Sequence, residues 1–126
     1  MKRTPVITAK APAAIGPYSQ GMSSGEMVFV SGQTPLLVDG SMIAGGAAEQ
    51  TEQCQKNVTM ILAGAGLTMN DVIKTTVFMT DLSQFAAMNA VYAKHFKPPY
   101  PARATVQVSA LPKGAAVEIE AVAVRP

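Results

Sequence analysis

A chain of 126 residues that is 48% hydrophobic fits one domain over 1–126, with room for a real core but not for a second one. Ten Lys and Arg stand against eight Asp and Glu for a net charge of +2, and the basic residues are scattered, so no nucleic-acid footprint is written into the sequence. No eighteen apolar residues run together to span a bilayer, Pro5, Lys10 and Pro12 break up any signal-peptide core, and a lone cysteine, Cys54, cannot close an intrachain disulfide and fits a reducing cytoplasm.

Residues 5–9 and 18–22 read as short strands joined through a loop marked by Pro12, Gly16 and Pro17. The apolar run 27–30 is a clearer strand, and it ends in Ser31-Gly32-Gln33, where glycine permits a turn or a close approach. Asp39-Gly40 supplies a turn. The span 47–65 has a helical period: Thr51, Cys54, Val58, Ile61, Leu62 and Ala65 make the apolar stripe, and Glu49, Glu52, Gln53 and Lys56 face outward. Gly66 follows as a terminator. The span 72–79 is a strand rich in β-branched residues. A second helix is expected from an N-cap at Ser83, with Phe85, Met88, Tyr92 and Phe96 on its buried face and Pro98-Pro99 as its stop.

The chain closes on 101–108 and 117–121, read as a β-hairpin. The predicted order is therefore βββαβαββ, an α+β domain of about six strands with two helices on one sheet face. The uncovered face, carrying apolar residues such as Val122 and Val124, is expected to associate with a partner.

Alternation along the last two strands sets Arg103, Thr105, Gln107 and Ser109 on one face, and in a hairpin Glu118 and Glu120 on that same face. A guanidinium fork matches a carboxylate with two parallel hydrogen bonds, and a carboxyl in a dry cleft is a candidate acid or base. Spacing alone favours a plainer reading, a surface pairing of Arg103 with Glu118 or Glu120. Tyr18 and Ser31 sit at turns, where a hydroxyl equally serves the local backbone. Asn89 falls on the second helix, where a structural hydrogen bond is the simple account. His95 is assigned no chemistry, and Cys54 reads as a small core residue. No zinc spacing, Walker motif or serine-hydrolase motif is present, and Gly45-Gly46 before a helix is only a weak anion signal.

Gly16-Pro17-Tyr18-Ser19-Gln20, Val30-Ser31-Gly32-Gln33, Gln55-Lys56-Asn57-Val58, Phe78-Met79-Thr80-Asp81, Met88-Asn89-Ala90-Val91-Tyr92, Pro101-Ala102-Arg103 and Val117-Glu118-Ile119-Glu120-Ala121 occur in order. This set resembles the Rid family, the YjgF-type reactive intermediate deaminases. The resemblance implies a chorismate-mutase-like α+β fold and a homotrimer with clefts between subunits. It also implies hydrolysis of 2-imino acids and their enamine tautomers, such as 2-iminobutanoate and 2-iminopropanoate, to 2-keto acids and ammonia, with no cofactor and no metal. The source of such intermediates would be pyridoxal-phosphate enzymes such as threonine dehydratase. By position, Arg103 matches the arginine that holds the substrate carboxylate and Glu118 the glutamate that positions water. Tyr18, Ser31, Gly32 and Asn89 match residues that line the cleft. Thr105 stands where many members have cysteine, a departure expected to bear on substrate range. Competing readings within the same resemblance are an endoribonuclease or translation inhibitor, and a keto-acid-binding module without turnover.

Overall fold

A computed structural model describes residues 2–126. Its strands are β1 (Arg3–Val6), β2 (Gly21–Ser24), β3 (Met27–Gln33), β4 (Val72–Met79), β5 (Ala102–Gln107) and β6 (Val117–Val124). Two helices, α1 (Ala47–Gly64) and α2 (Phe85–Tyr92), complete the order βββαβαββ expected from the sequence. The first two strands are shifted from their expected places: β1 lies earlier than 5–9 and β2 later than 18–22, so the Gly16 to Gln20 segment is loop.

The six strands form one sheet in the order β1-β2-β3-β6-β4-β5. β1 to β3 form an antiparallel meander, and β6 inserts between β3 and β4, antiparallel to both. β5 runs parallel to β4 at the sheet edge. The expected hairpin between the last two strands is therefore absent, because β4, α2 and β5 make a strand-helix-strand unit, which delivers its second strand parallel to its first.

Both helices cover the same sheet face. On α1 the stripe Thr51, Cys54, Val58, Ile61 and Leu62 is buried against Val28 and Val30 of β3 and Val117, Ile119, Ala121 and Ala123 of β6 in one core. Each of the large aliphatic side chains there contributes roughly 1.5–3 kcal/mol through burial. The helix ends as Gly66 suggested. Gly66 takes φ +78, its N–H donates to Ala63 O, and the Leu67 N–H reaches back to Leu62 O at 2.9 Å, which satisfies carbonyls left open by the last turn.

The N-terminus of α1 is closed by its own side chain rather than open to an anion. The Glu49 carboxylate accepts from the Gly46 N–H at 3.3 Å and fills the space beside Gly45. The second helix starts later than Ser83: Asp81 caps a short 3-10 turn over Leu82–Gln84, accepting from the Ser83 N–H at 2.9 Å, and α2 follows. Met88, Tyr92 and Phe96 are buried as expected, whereas Phe85 is exposed. His95 meets Glu52 of α1 at 2.8 Å, tying the end of the second helical segment to the first.

Among the described residues no helix covers the opposite sheet face. Phe29 is 49% exposed and Val106 40%, with Val122 and Val124 half-buried beside them. Among the described residues no helix is long and apolar enough to cross a membrane.

One loop is pinned by a residue that spacing gave no reason to single out. Gln20 is buried, its Oε1 accepts from the Thr8 N–H at 2.8 Å, and its Nε2 lies within donating distance of Thr8 O, Ala11 O and Pro12 O at 3.0, 3.3 and 2.8 Å. This amide holds the segment that leads into Tyr18. Gln20→Ala is expected to lower stability by about 2 kcal/mol, since it leaves several part-buried polar groups unpaired. Urea denaturation and amide exchange at Thr8 check this, and unchanged exchange at Thr8 would contradict it.

Candidate functional site

The candidate residues fall into two groups. One lies over the register shift between β3 and β6. Val30 pairs with Ala121 and Gln33 with Ile119, so Ser31 and Gly32 together oppose Glu120. A bulge of this kind re-aims side chains and opens the pleat. At this point the Glu118 carboxylate packs onto the backbone of Gly32, where a Cβ would lie 2.5 Å from Glu118 Oε2, so only glycine leaves the carboxylate its place. Tyr18, Ser31, Gly32, Glu118 and Glu120 line a cleft of about 650 Å³, with Lys113 at its edge. A larger hollow of about 920 Å³ on the uncovered face adjoins it and shares Tyr18, Ser31 and Glu120 as walls.

Within this group the Tyr18 hydroxyl serves local backbone, the plainer alternative, whereas the Ser31 hydroxyl reaches a carbonyl twelve residues away, between β3 and the loop before β2. Ser31 Oγ donates to Ser19 O at 2.6 Å, and Tyr18 Oη accepts from the Ile15 N–H at 3.2 Å. Glu118 makes no ion pair among the described residues. Burial, and then the neighbouring Glu120, raise its proton affinity above that of an ordinary glutamate. Cys54 donates weakly to Val117 O at 3.6 Å, and its thiol is pushed far up by burial first and by the Glu118 charge second. It is inert core, as read from the sequence.

The second group is built on α2 and β5. Arg103 is exposed on the edge strand, and its Nη1 donates to Asn89 Oδ1 at 2.6 Å. Its guanidinium carbon lies 4.7 Å from the ring centre of Tyr92 and 5.4 Å from that of Phe85. Thr105 follows on the same face. Its Oγ1 is shielded from water with no hydrogen-bond partner among the described residues.

These groups do not share a face. In neighbouring strands paired residues project to the same side, and Arg103 pairs with Thr75, which faces the helices and meets Tyr92. Glu118 pairs with Phe78, three residues along β4, and so faces the uncovered side. The expectation of one guanidinium and two carboxylates on one hairpin face is thus corrected: with β5 and β6 separated by β4, Arg103 stands roughly 14 Å along the sheet from Glu118, pointing the other way. The surface pairing of Arg103 with Glu118 or Glu120 does not form either. Among the described residues no group of three or more His, Cys, Asp or Glu is placed to hold a metal ion.

Sequence reasoning passed over Phe85 and Tyr92, which it placed only in the buried stripe. Their spacing with Asn89 at positions 85, 89 and 92 on one helix face was the available signal.

Because burial makes the Glu118 proton harder to remove in the folded chain than in the unfolded one, folding binds that proton more tightly, and stability falls as pH rises through the interval between the two values. Glu118→Gln is therefore expected to melt above the parent protein at pH 8. The gain should vanish below about pH 4, where the glutamate is protonated in both states. Thermal denaturation across this pH range decides the point, and equal melting of the two chains at pH 8 would contradict it.

Comparison with known proteins gives a consistent result. A family model described as endoribonuclease L-PSP matches residues 8–125. A RutC family protein from Sinorhizobium fredii is 51% identical over 94% of each chain. Human 2-iminobutanoate/2-iminopropanoate deaminase is 45% identical, covering 98% of this chain and 90% of its own. Among solved structures, a putative endoribonuclease from Thermotoga maritima superposes with a TM-score of 0.96 at 44% identity, covering 100% of this chain and 99% of its own. E. coli TdcF with bound serine gives 0.91 at 45% identity, covering 98% and 99%. With a model match over nearly all its length, these relatives and this sheet order, the chain belongs to the Rid, or YjgF-type, family.

Proposed function

We propose that the chain is a hydrolytic deaminase of 2-imino acids and their enamine tautomers, acting on 2-iminobutanoate and 2-iminopropanoate at sites assembled between copies of itself in a homotrimer. The observation that carries this reading is the division of the site: a clamped guanidinium on one face and an unpaired, half-buried carboxylate on the other, each without its chemical complement. The human relative's name supplies the reaction, and the serine bound to the E. coli relative is the size and charge of ligand that such a site suits. The uncovered sheet face, with Phe29 and Val106 exposed, supports association.

The chemistry asks little of the protein, because an imine carbon is already electrophilic. Arg103 of one copy takes the substrate carboxylate through its free N–H groups, which fixes the C=N bond over the Glu118 cleft of another. Glu118, ionised, accepts a proton from a water whose oxygen attacks the imine carbon. It then returns that proton to nitrogen in the carbinolamine. Glu118 then takes the proton of the new hydroxyl and passes it to the same nitrogen, so that the C–N bond breaks, the hydroxyl oxygen becomes the keto oxygen and ammonia leaves, and imino acid and water give keto acid and ammonia. A raised proton affinity at Glu118 suits both halves of this transfer near neutral pH. Tyr18 and Ser31 wall the cleft, and Thr105, two residues along β5 from Arg103 on the same face, is the position at which a change of substrate range is expected. Pyridoxal-phosphate enzymes such as threonine dehydratase are the natural source of these substrates.

The endoribonuclease reading attached to the family description finds less support. The cleft presents Glu118 and Glu120, which repel a phosphate backbone.

The test couples a threonine dehydratase to this protein and follows keto-acid appearance while an imine trap competes. The parent protein should accelerate keto-acid release, and Arg103→Ala should remove about 100-fold or more of that acceleration while circular dichroism and melting stay unchanged. Retention of deamination by Arg103→Ala, or salt-sensitive RNA cleavage with imino acids untouched, would overturn the proposal.

A further inference from the structure

Arg103 is on an exposed edge strand, where a long side chain ordinarily samples many rotamers, yet here it has one face of α2 devoted to it. Phe85, Asn89 and Tyr92 recur at i, i+4 and i+7, so a ring, an amide and a second ring meet the guanidinium together. The second ring is itself fixed. Tyr92 Oη and Thr75 Oγ1 are 2.7 Å apart, and Thr75 is the residue paired with Arg103 across the parallel strands. The contacts close a circuit: Arg103 to Tyr92, Tyr92 to Thr75, Thr75 back to Arg103 through the sheet. The helix that carries the rings is held to α1 by the buried Met88 and, just beyond its end, by the pairing of His95 with Glu52.

Phe85 calls for explanation, since a phenylalanine on the first turn of a short helix is exposed with nothing of the core to fill. Its ring lies against Arg103. We infer that Phe85 and Tyr92 are positioning residues that hold the Arg103 guanidinium in one plane, with Asn89 occupying Nη1 and the Nε and Nη2 edge left free to receive both oxygens of a substrate carboxylate. The inference rests on the reading of Arg103 as the carboxylate anchor. It adds that the anchor is set before ligand arrives, so that little ordering cost falls on binding.

Because Phe85 is exposed, Phe85→Leu removes the ring with little effect on the core, and Phe85→Trp restores a ring with a stronger pull on a cation. Two measurements on the full-length protein and both variants test the inference. The first is the Nε–Hε resonance of Arg103 in nitrogen-proton spectra, assigned by its loss in Arg103→Lys. It should be displaced by ring current in the parent protein, move toward the free-arginine position in Phe85→Leu and return in Phe85→Trp. The second is turnover of 2-iminobutanoate, supplied in situ by an amino-acid oxidase, together with calorimetric binding of 2-oxobutanoate. Phe85→Leu should weaken 2-oxobutanoate binding and raise KM by about fivefold with kcat within twofold, a change that Phe85→Trp reverses. An Arg103 resonance that ignores the loss of the ring, or KM and binding equal in all three proteins, overturns the inference. If the parent protein hydrolyses no imine, the deaminase reading fails, and the resonance and the binding measurement still judge the clamp.

Discussion

The pleat of a β-sheet decides what this chain can do alone. Paired residues in adjacent strands share a face and successive residues alternate, so the pairing of Arg103 with Thr75 and of Glu118 with Phe78 sends the guanidinium to the helix side and the carboxylate to the open side. No rotamer carries either group through the sheet. The proposed ligand, touching both, would be held between two copies, and the exposed β5 edge and uncovered face offer surfaces for such a contact.

This separation has an electrostatic consequence. A glutamate beside an arginine is held ionised and is a poor proton carrier. Here Glu118 is set over Gly32 at a bulge, next to Glu120 and away from Arg103, and its proton affinity is raised rather than lowered. The guanidinium, in turn, is held by two aromatic rings and a neutral amide, so its charge is left uncancelled by those contacts. In the proposed site the opposite charges are brought near one another only across the substrate, with the carboxylate end on one side and the reacting carbon on the other.

Much of the fold was legible because it is local. The stripe on α1, the glycine that ends it and the β-branched run of β4 follow from period and residue type over a few turns. The placement of β6 between β3 and β4 is a pairing between distant segments, and no local signal specifies it. The parallel course of β5 could have been read: a strand, a helix and a strand in succession favour it, and the connection over 108–116 is longer than the two to five residues usual in a hairpin. For the site, spacing alone left Tyr18 and Ser31 as turn residues; the Tyr18 hydroxyl does serve local backbone, while that of Ser31 ties its strand to a loop carbonyl twelve residues away. The family motifs singled them out, while the burial of Gln20 and the ring contacts of Arg103 needed the structure, since neither a loop glutamine nor a helical phenylalanine announces what it will touch.

If one functional site draws on two chains, two inactive chains can complement each other when mixed. Arg103→Ala and Glu118→Gln proteins, each inactive alone, would be unfolded together, refolded and assayed for keto-acid release from 2-iminobutanoate. The mixture should regain activity, because some assembled sites pair the intact Glu118 of one chain with the intact Arg103 of another. A mixture that forms mixed assemblies yet stays as inactive as its parts would contradict it.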